Sequence, residues 1–171
     1  MLPIKNKRLL ISHKKIKKGV AIKTKNMKLV INAGYGGFSI SRECAEFMVK
    51  LGDKQAEAEL NDWNKRQSVL NYYKKNKKFP DDCDEDLKSS LEIDAKYECE
   101  AKFYGYGYEE GFDNGYERTN ENLIKAVEEL GKKANGDCAT LKVVEIPDDV
   151  DYYIDEYDGF ESVNEKHRSW G

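Results

Sequence analysis

The chain has 171 residues, of which 36% are charged and 39% apolar, and a formal net charge of −3. That length suits a single domain that buries its own core, and eleven Tyr, six Phe and two Trp exclude wholesale disorder. No apolar run reaches the roughly 18 residues of a membrane span, no secretory signal is recognisable, the four cysteines form no C-x-x-C pair, and two histidines exclude a His-rich metal site.

The expectation is therefore a cytoplasmic protein with reduced thiols at Cys44, Cys83, Cys99 and Cys138, no metal, no cofactor and no membrane partner. Charge is unevenly spread. Residues 1–26 carry nine of the 29 basic residues and no acidic one, so a cationic arm precedes an acidic remainder. Clustered Lys supplies sequence-independent attraction to phosphate, and this arm is the one place where nucleic-acid binding is expected. The competing reading is a translation start at Met27, because Lys28 opens directly into a strand while the residues before it show neither turn chemistry nor an amphipathic period. On both readings the arm is expected to be poorly ordered and a single folded domain to span 27–171.

Lys28 to Asn32 (KLVIN) reads as a short strand leading into the glycine-rich stretch AGYGGFSIS. Cys44, Phe47, Met48 and Leu51 then fall on one face of a helix that Ser41 caps and Gly52 ends. A second, largely exposed helix is predicted from Asp53 towards Lys78, with Ala56, Leu60, Trp63, Leu70 and Tyr73 at helical spacing and Pro80 as its stop. Around Leu87, Leu91 and Ala95 the period is weak and only a loop with a short helix is expected. Phe103 to Tyr116 holds six aromatics and four glycines, a composition that suits an ordered loop or short irregular strands dividing the domain into halves. Leu123, Ala126, Val127 and Leu130 mark a further helix between Asn120 and Gly131. Three runs, Ala139–Ile146, Val150–Ile154 and Phe160–Val163, are separated by turn residues and read as an antiparallel meander. The predicted class is α+β, with a short N-terminal strand, helices and a C-terminal antiparallel meander in one small domain. Residues 53–118 form its variable middle.

The opening VINAGYGGFSIS and the closing VVEIPDDVDYYIDEYDGFESVNEKHRSW, together with the helix ENLIKAVEELGKKANGDCATLK, resemble a family of small bacteriophage and prophage proteins. In that family a short strand leads into a Y/F-G-G-F loop and the chain closes on a D-G-x-E-x-V-x-E-x-H-R-x-W tail. The resemblance covers about half of the domain and implies a bacterial host cell; it implies no catalytic residue.

Two surfaces are candidate sites. Gly34, Tyr35, Gly36, Gly37, Ser39 and Ser41 lie between strand and helix, where backbone N–H groups and a helix N-terminus suit an anion or nucleotide. The spacing is neither G-x-G-x-x-G nor a P-loop, and the competing reading is a tight turn with Tyr35 and Phe38 packed on the sheet. The second surface is the run of Glu145, Asp148, Asp149, Asp151, Asp155, Glu156, Asp158 and Glu161, uninterrupted by any base. It reads as a negative strip for a host protein with a basic surface, or as a merely solvated face. His167 is a candidate acid or base without a recognisable nucleophile, and the aromatic-glycine segment suits core packing more than base stacking. Together these features point to a non-enzymatic accessory protein that binds a host factor, such as a CRISPR effector or a nucleotide immune signal. The alternative is a nucleotide-binding protein or enzyme using the Gly34–Ser41 loop.

Overall fold

The computed structural model describes residues 25–107 and 115–166. Residues 1–24 of the basic arm, the centre of the aromatic-glycine segment, and the end of the tail with His167 lie outside the described residues. Strand β1 (Asn26–Asn32) is buried over its last four residues and pairs antiparallel with β2 (Leu141–Pro147), in a register running from Asn26↔Pro147 to Asn32↔Leu141. Helices α1 (Arg42–Lys50) and α4 (Glu121–Leu130) carry the main core, in which Val30, Ile40, Met48, Leu123 and Val127 meet the half-buried Leu141 and Val143 of β2.

Both helices start where their capping chemistry dictates. Ser41 Oγ accepts from Cys44 N–H at 3.1 Å, and Asn120 Oδ1 accepts from the N–H groups of Asn122 and Leu123 at 2.8 and 3.1 Å. Asp53 links two caps. Its Oδ1 accepts from Ala56 N–H at the start of α2 (Lys54–Asn76), and its Oδ2 accepts from the Asn120 side chain at 2.9 Å. Leu51 departs from the expected stripe and is 42% exposed, because α1 ends at Lys50 and Leu51 serves as its C-cap.

Helix α2 runs about 35 Å at the usual rise per residue and joins the main core to a second cluster. There Leu70 packs with Leu91 and Ala95 of α3 (Glu85–Lys96), flanked by Trp63, Tyr73, Phe79 and Leu87. The region expected to hold only a short helix is thus a regular three-turn helix, capped by Asp84 through Asp86 and Leu87 N–H. Each fully buried Leu in this cluster contributes on the order of 2 kcal/mol of transfer free energy.

The α+β class stands, but the expected three-strand meander does not form. Among the described residues β2 pairs with β1, while β3 (Tyr152–Tyr157) pairs only with β4 (Phe160–Glu165), giving two two-stranded sheets. The two sheets meet at the outer edge of β1 without merging. Val30 N–H donates to the Arg118 carbonyl at 2.8 Å, and two residues on, Asn32 N–H donates to Glu161 Oε2 at 2.8 Å. A side-chain carboxylate from β4 stands where a third strand would offer a carbonyl, so β4 lies beside β1 without extending its ladder.

Candidate functional site

The β3–β4 hairpin would be marginal alone, and it is fixed to the glycine loop by one buried asparagine. Asn32 Nδ2 donates to the carbonyls of Gly34 and Gly159 at 2.7 and 2.6 Å, and its Oδ1 accepts from Thr140 N–H at 2.7 Å. Asp158 and Gly159 take φ of 50° and 81°, the two left-handed positions of a type I′ hairpin turn. Glycine is needed at 159 for a second reason: a Cβ there would stand 2.1 Å from Gly37 N. Hairpin tip and glycine loop are therefore in backbone contact, and Gly36 N–H donates to the Asp158 carbonyl at 3.3 Å.

A cleft of about 720 Å³ opens between them, lined by Gly36, Gly37, Arg118, Glu156 and Asp158, with Glu161 at its base. Two surfaces predicted separately thus meet. Gly34, Tyr35, Ser39 and Ser41 do not line the cleft, and the Tyr35 ring packs against Phe160 instead. Ser39 is buried, Gly34 N–H turns back onto Asn32, and Ser41 caps α1 and donates to the Lys133 carbonyl. The wall facing Gly36 and Gly37 is acidic, which disfavours a phosphate there.

Glu161 departs from the expected solvated strip. It is 5% exposed, accepts from Arg118 Nη2 at 2.7 Å, and is enclosed with an Arg118 guanidinium lying 3.3 Å from the Phe38 ring centroid. Glu145 has Lys28 Nζ at 3.6 Å, and Glu156 Oε1 accepts from Gly159 N–H. The strip is therefore not eight equivalent charges. Asp148, Asp149, Asp151, Asp155 and Asp158 are exposed, and their side chains enter no ion pair among the described residues.

What the sequence reading missed is the aromatic content of this face. Alternation along β3 puts Tyr153, Asp155 and Tyr157 on one side of the hairpin, with Phe160 opposite Tyr157 in register. Tyr157 is 79% and Tyr35 70% exposed, and the Tyr35 and Phe160 rings sit 5.9 Å apart. The period-two pattern of YYIDEY carries that signal, interleaved with acids that suggest a merely solvated face. Among the described residues no group of three His, Cys, Asp or Glu side chains is arranged to hold a metal, and no helix is long and apolar enough to cross a membrane. No protein-family model, curated protein or solved structure matches this chain.

Proposed function

We propose that this chain is a phage or prophage accessory protein that acts by binding, without catalysis, to a host protein that presents a basic surface. The observation that carries the reading is the joined face of loop and hairpin. Exposed Tyr35, Tyr153, Tyr157 and Phe160 stand among Asp155, Asp158 and the acids of the preceding turn. Exposed aromatics give contact area at small entropic cost, and uncompensated carboxylates around them select a cationic partner and speed its encounter. The phage resemblance of the two ends of the domain supports a host factor as the target.

The test is affinity purification of the full chain from an infected or lysogenic host, followed by binding measurements with the purified partner. Tyr157→Ser and Tyr35→Ser are each expected to weaken that complex by about tenfold or more, the range of an aromatic contact at an interface core. Equal affinity of both variants and wild type for the captured protein sinks the proposal.

A further inference from the structure

A second cleft, of about 350 Å³, lies between the middle of α2 and residues 102–106. Its construction begins with a helical stripe. Glu59, Asp62, Trp63 and Arg66 follow one another at i, i+3, i+4 and i+7, so α2 turns one face towards the segment that crosses it. That segment is held at several points. Trp63 Nε1 donates to the Ala101 carbonyl at 2.9 Å, Gln67 Oε1 accepts from Ala101 N–H at 3.0 Å, and Ile40 N–H donates to the Gly105 carbonyl at 2.8 Å. Gly105 (φ 67°) packs so closely that a Cβ would stand 1.9 Å from the Ile40 carbonyl oxygen. Glu59 forms the floor, its two oxygens accepting from Tyr106 N–H, Gly107 N–H and the Tyr116 hydroxyl.

One cation is left over in this frame. Arg66 makes no hydrogen bond or ion pair among the described residues, and its Nε is buried without a partner, although a buried donor normally has one. Its guanidinium lies 5.8 Å from the Tyr104 ring centroid, and Lys102 Nζ lies 5.6 Å from the same ring. The Tyr104 and Tyr106 rings stack at 6.0 Å, and both residues remain exposed at the cleft mouth. A pair of cations against aromatic faces offers an anion and a flat ring adjoining places, and Asp62 at the rim offers an acceptor for a hydroxyl or an amine.

We propose that this cleft binds a mononucleotide, with its phosphate on Arg66 and Lys102 and its base against Tyr104 and Tyr106. Arg66 is the anchor, since it has no hydrogen bond or ion pair among the described residues to give up, and turning its guanidinium onto a phosphate brings the Nε that the fold leaves buried and unpaired to an acceptor. Lys102 moves from its contact with Asp137, which lies 3.2 Å away in an exposed ion pair that costs little to exchange. Asp62 accepts from the sugar or the base and excludes bare polyanions. This site shares Tyr106 with the hairpin cleft, but Arg66, Lys102, Tyr104 and Asp62 do not line that cleft and none of them belongs to the Gly34–Ser41 loop.

Calorimetric titration of the full chain with AMP, GMP, CMP and UMP, alongside inorganic phosphate and adenosine, tests the assignment. At least one nucleotide is expected to saturate the protein at one site, more tightly than phosphate or the nucleoside alone. Arg66→Gln is expected to weaken it about tenfold or more, as loss of a charge-assisted contact does, and Tyr104→Leu several-fold, as loss of a stacking contact does. Arg66→Lys retains the charge and restores part of the loss, and Tyr157→Ser leaves the affinity unchanged, which separates this site from the hairpin. Absence of saturable binding by any of the four nucleotides, binding no tighter than that of inorganic phosphate, or full affinity in correctly folded Arg66→Gln overturns the proposal.

Discussion

Glu59 and Glu161 are carboxylates taken out of water, and each holds a backbone segment in place. Burial pushes the Glu59 carboxyl above its ordinary value of 4.5, against the pull of the Tyr116 hydroxyl and the backbone N–H groups it accepts from. A group whose pKa is raised on folding contributes stability that is fully present below its unfolded pKa and is lost as pH rises through the folded one. Wild type should therefore lose stability relative to Glu59→Gln as pH rises from the carboxyl's ordinary value of 4.5 through the raised folded-state value, and urea melts of the two proteins across a pH series check it. Parallel pH profiles would show that Glu59 titrates alike in both states. Glu161→Ala strips the acceptor from Asn32 N–H and from Arg118 together. Breaking a buried pair from one side costs about 3–5 kcal/mol, and because Arg118 keeps some solvent contact the expected loss is about 2–3 kcal/mol. Glu161→Gln keeps an acceptor for Asn32 and should lose less. Neither role was legible in the sequence. Glu161 stands within an acidic run, and its partners lie 43 and 129 positions away, at Arg118 and Asn32.

At the scale of elements, helices α1 and α4 were legible because cap residue, apolar stripe and stop agree in each, and local agreement of that kind survives tertiary context. Helix α2 was legible in its bounds but not in its buried side, which includes Gln55 and Glu59. Gln55 Nε2 donates to the Gly107 and Gly115 carbonyls at 2.7 and 2.9 Å, so these polar residues serve the backbone of a loop, a use that pattern rules assign to solvent. Helix α3 was legible only in outline, since its stripe is short and meets α2 in a separate cluster. That separation has a consequence for stability. Leu70 is fully buried, and Leu70→Ala should cost about 2–5 kcal/mol. Amide exchange should then rise first in α3 and the end of α2, while α1, α4 and β1 keep their protection. Uniform loss of protection across all four helices would mean that the two clusters unfold as one unit.

For the whole molecule, the class was legible and the strand partners were not. Three strands separated by turns suggest a meander, and period and turn chemistry carry no information about β1, which lies more than a hundred residues earlier and claims β2. That pairing leaves the β3–β4 hairpin in place to meet the glycine loop, and it makes the charge of the hairpin and its turn the test of the binding reading. Asp149, Asp151, Asp155 and Asp158 are exposed and have no cationic partner among the described residues, so they repel one another across a short stretch of chain. A basic partner relieves that repulsion. Replacing all four with Asn should leave stability unchanged or slightly raised, because Asn tolerates the left-handed backbone at 158 and makes the turn Asn-Gly. The same variant should bind the partner more weakly. Attraction between exposed charges is screened over about 8 Å at physiological salt, so the wild-type complex should weaken as salt rises and the variant complex much less. Stopped-flow association rates at several salt concentrations separate the charge contribution from that of Tyr35 and Tyr157, because rim charges act mainly on the on-rate and buried aromatics on the off-rate. If the fourfold variant matches wild type in affinity and in salt dependence, the acids are a solvated face and the aromatic residues alone define the interface.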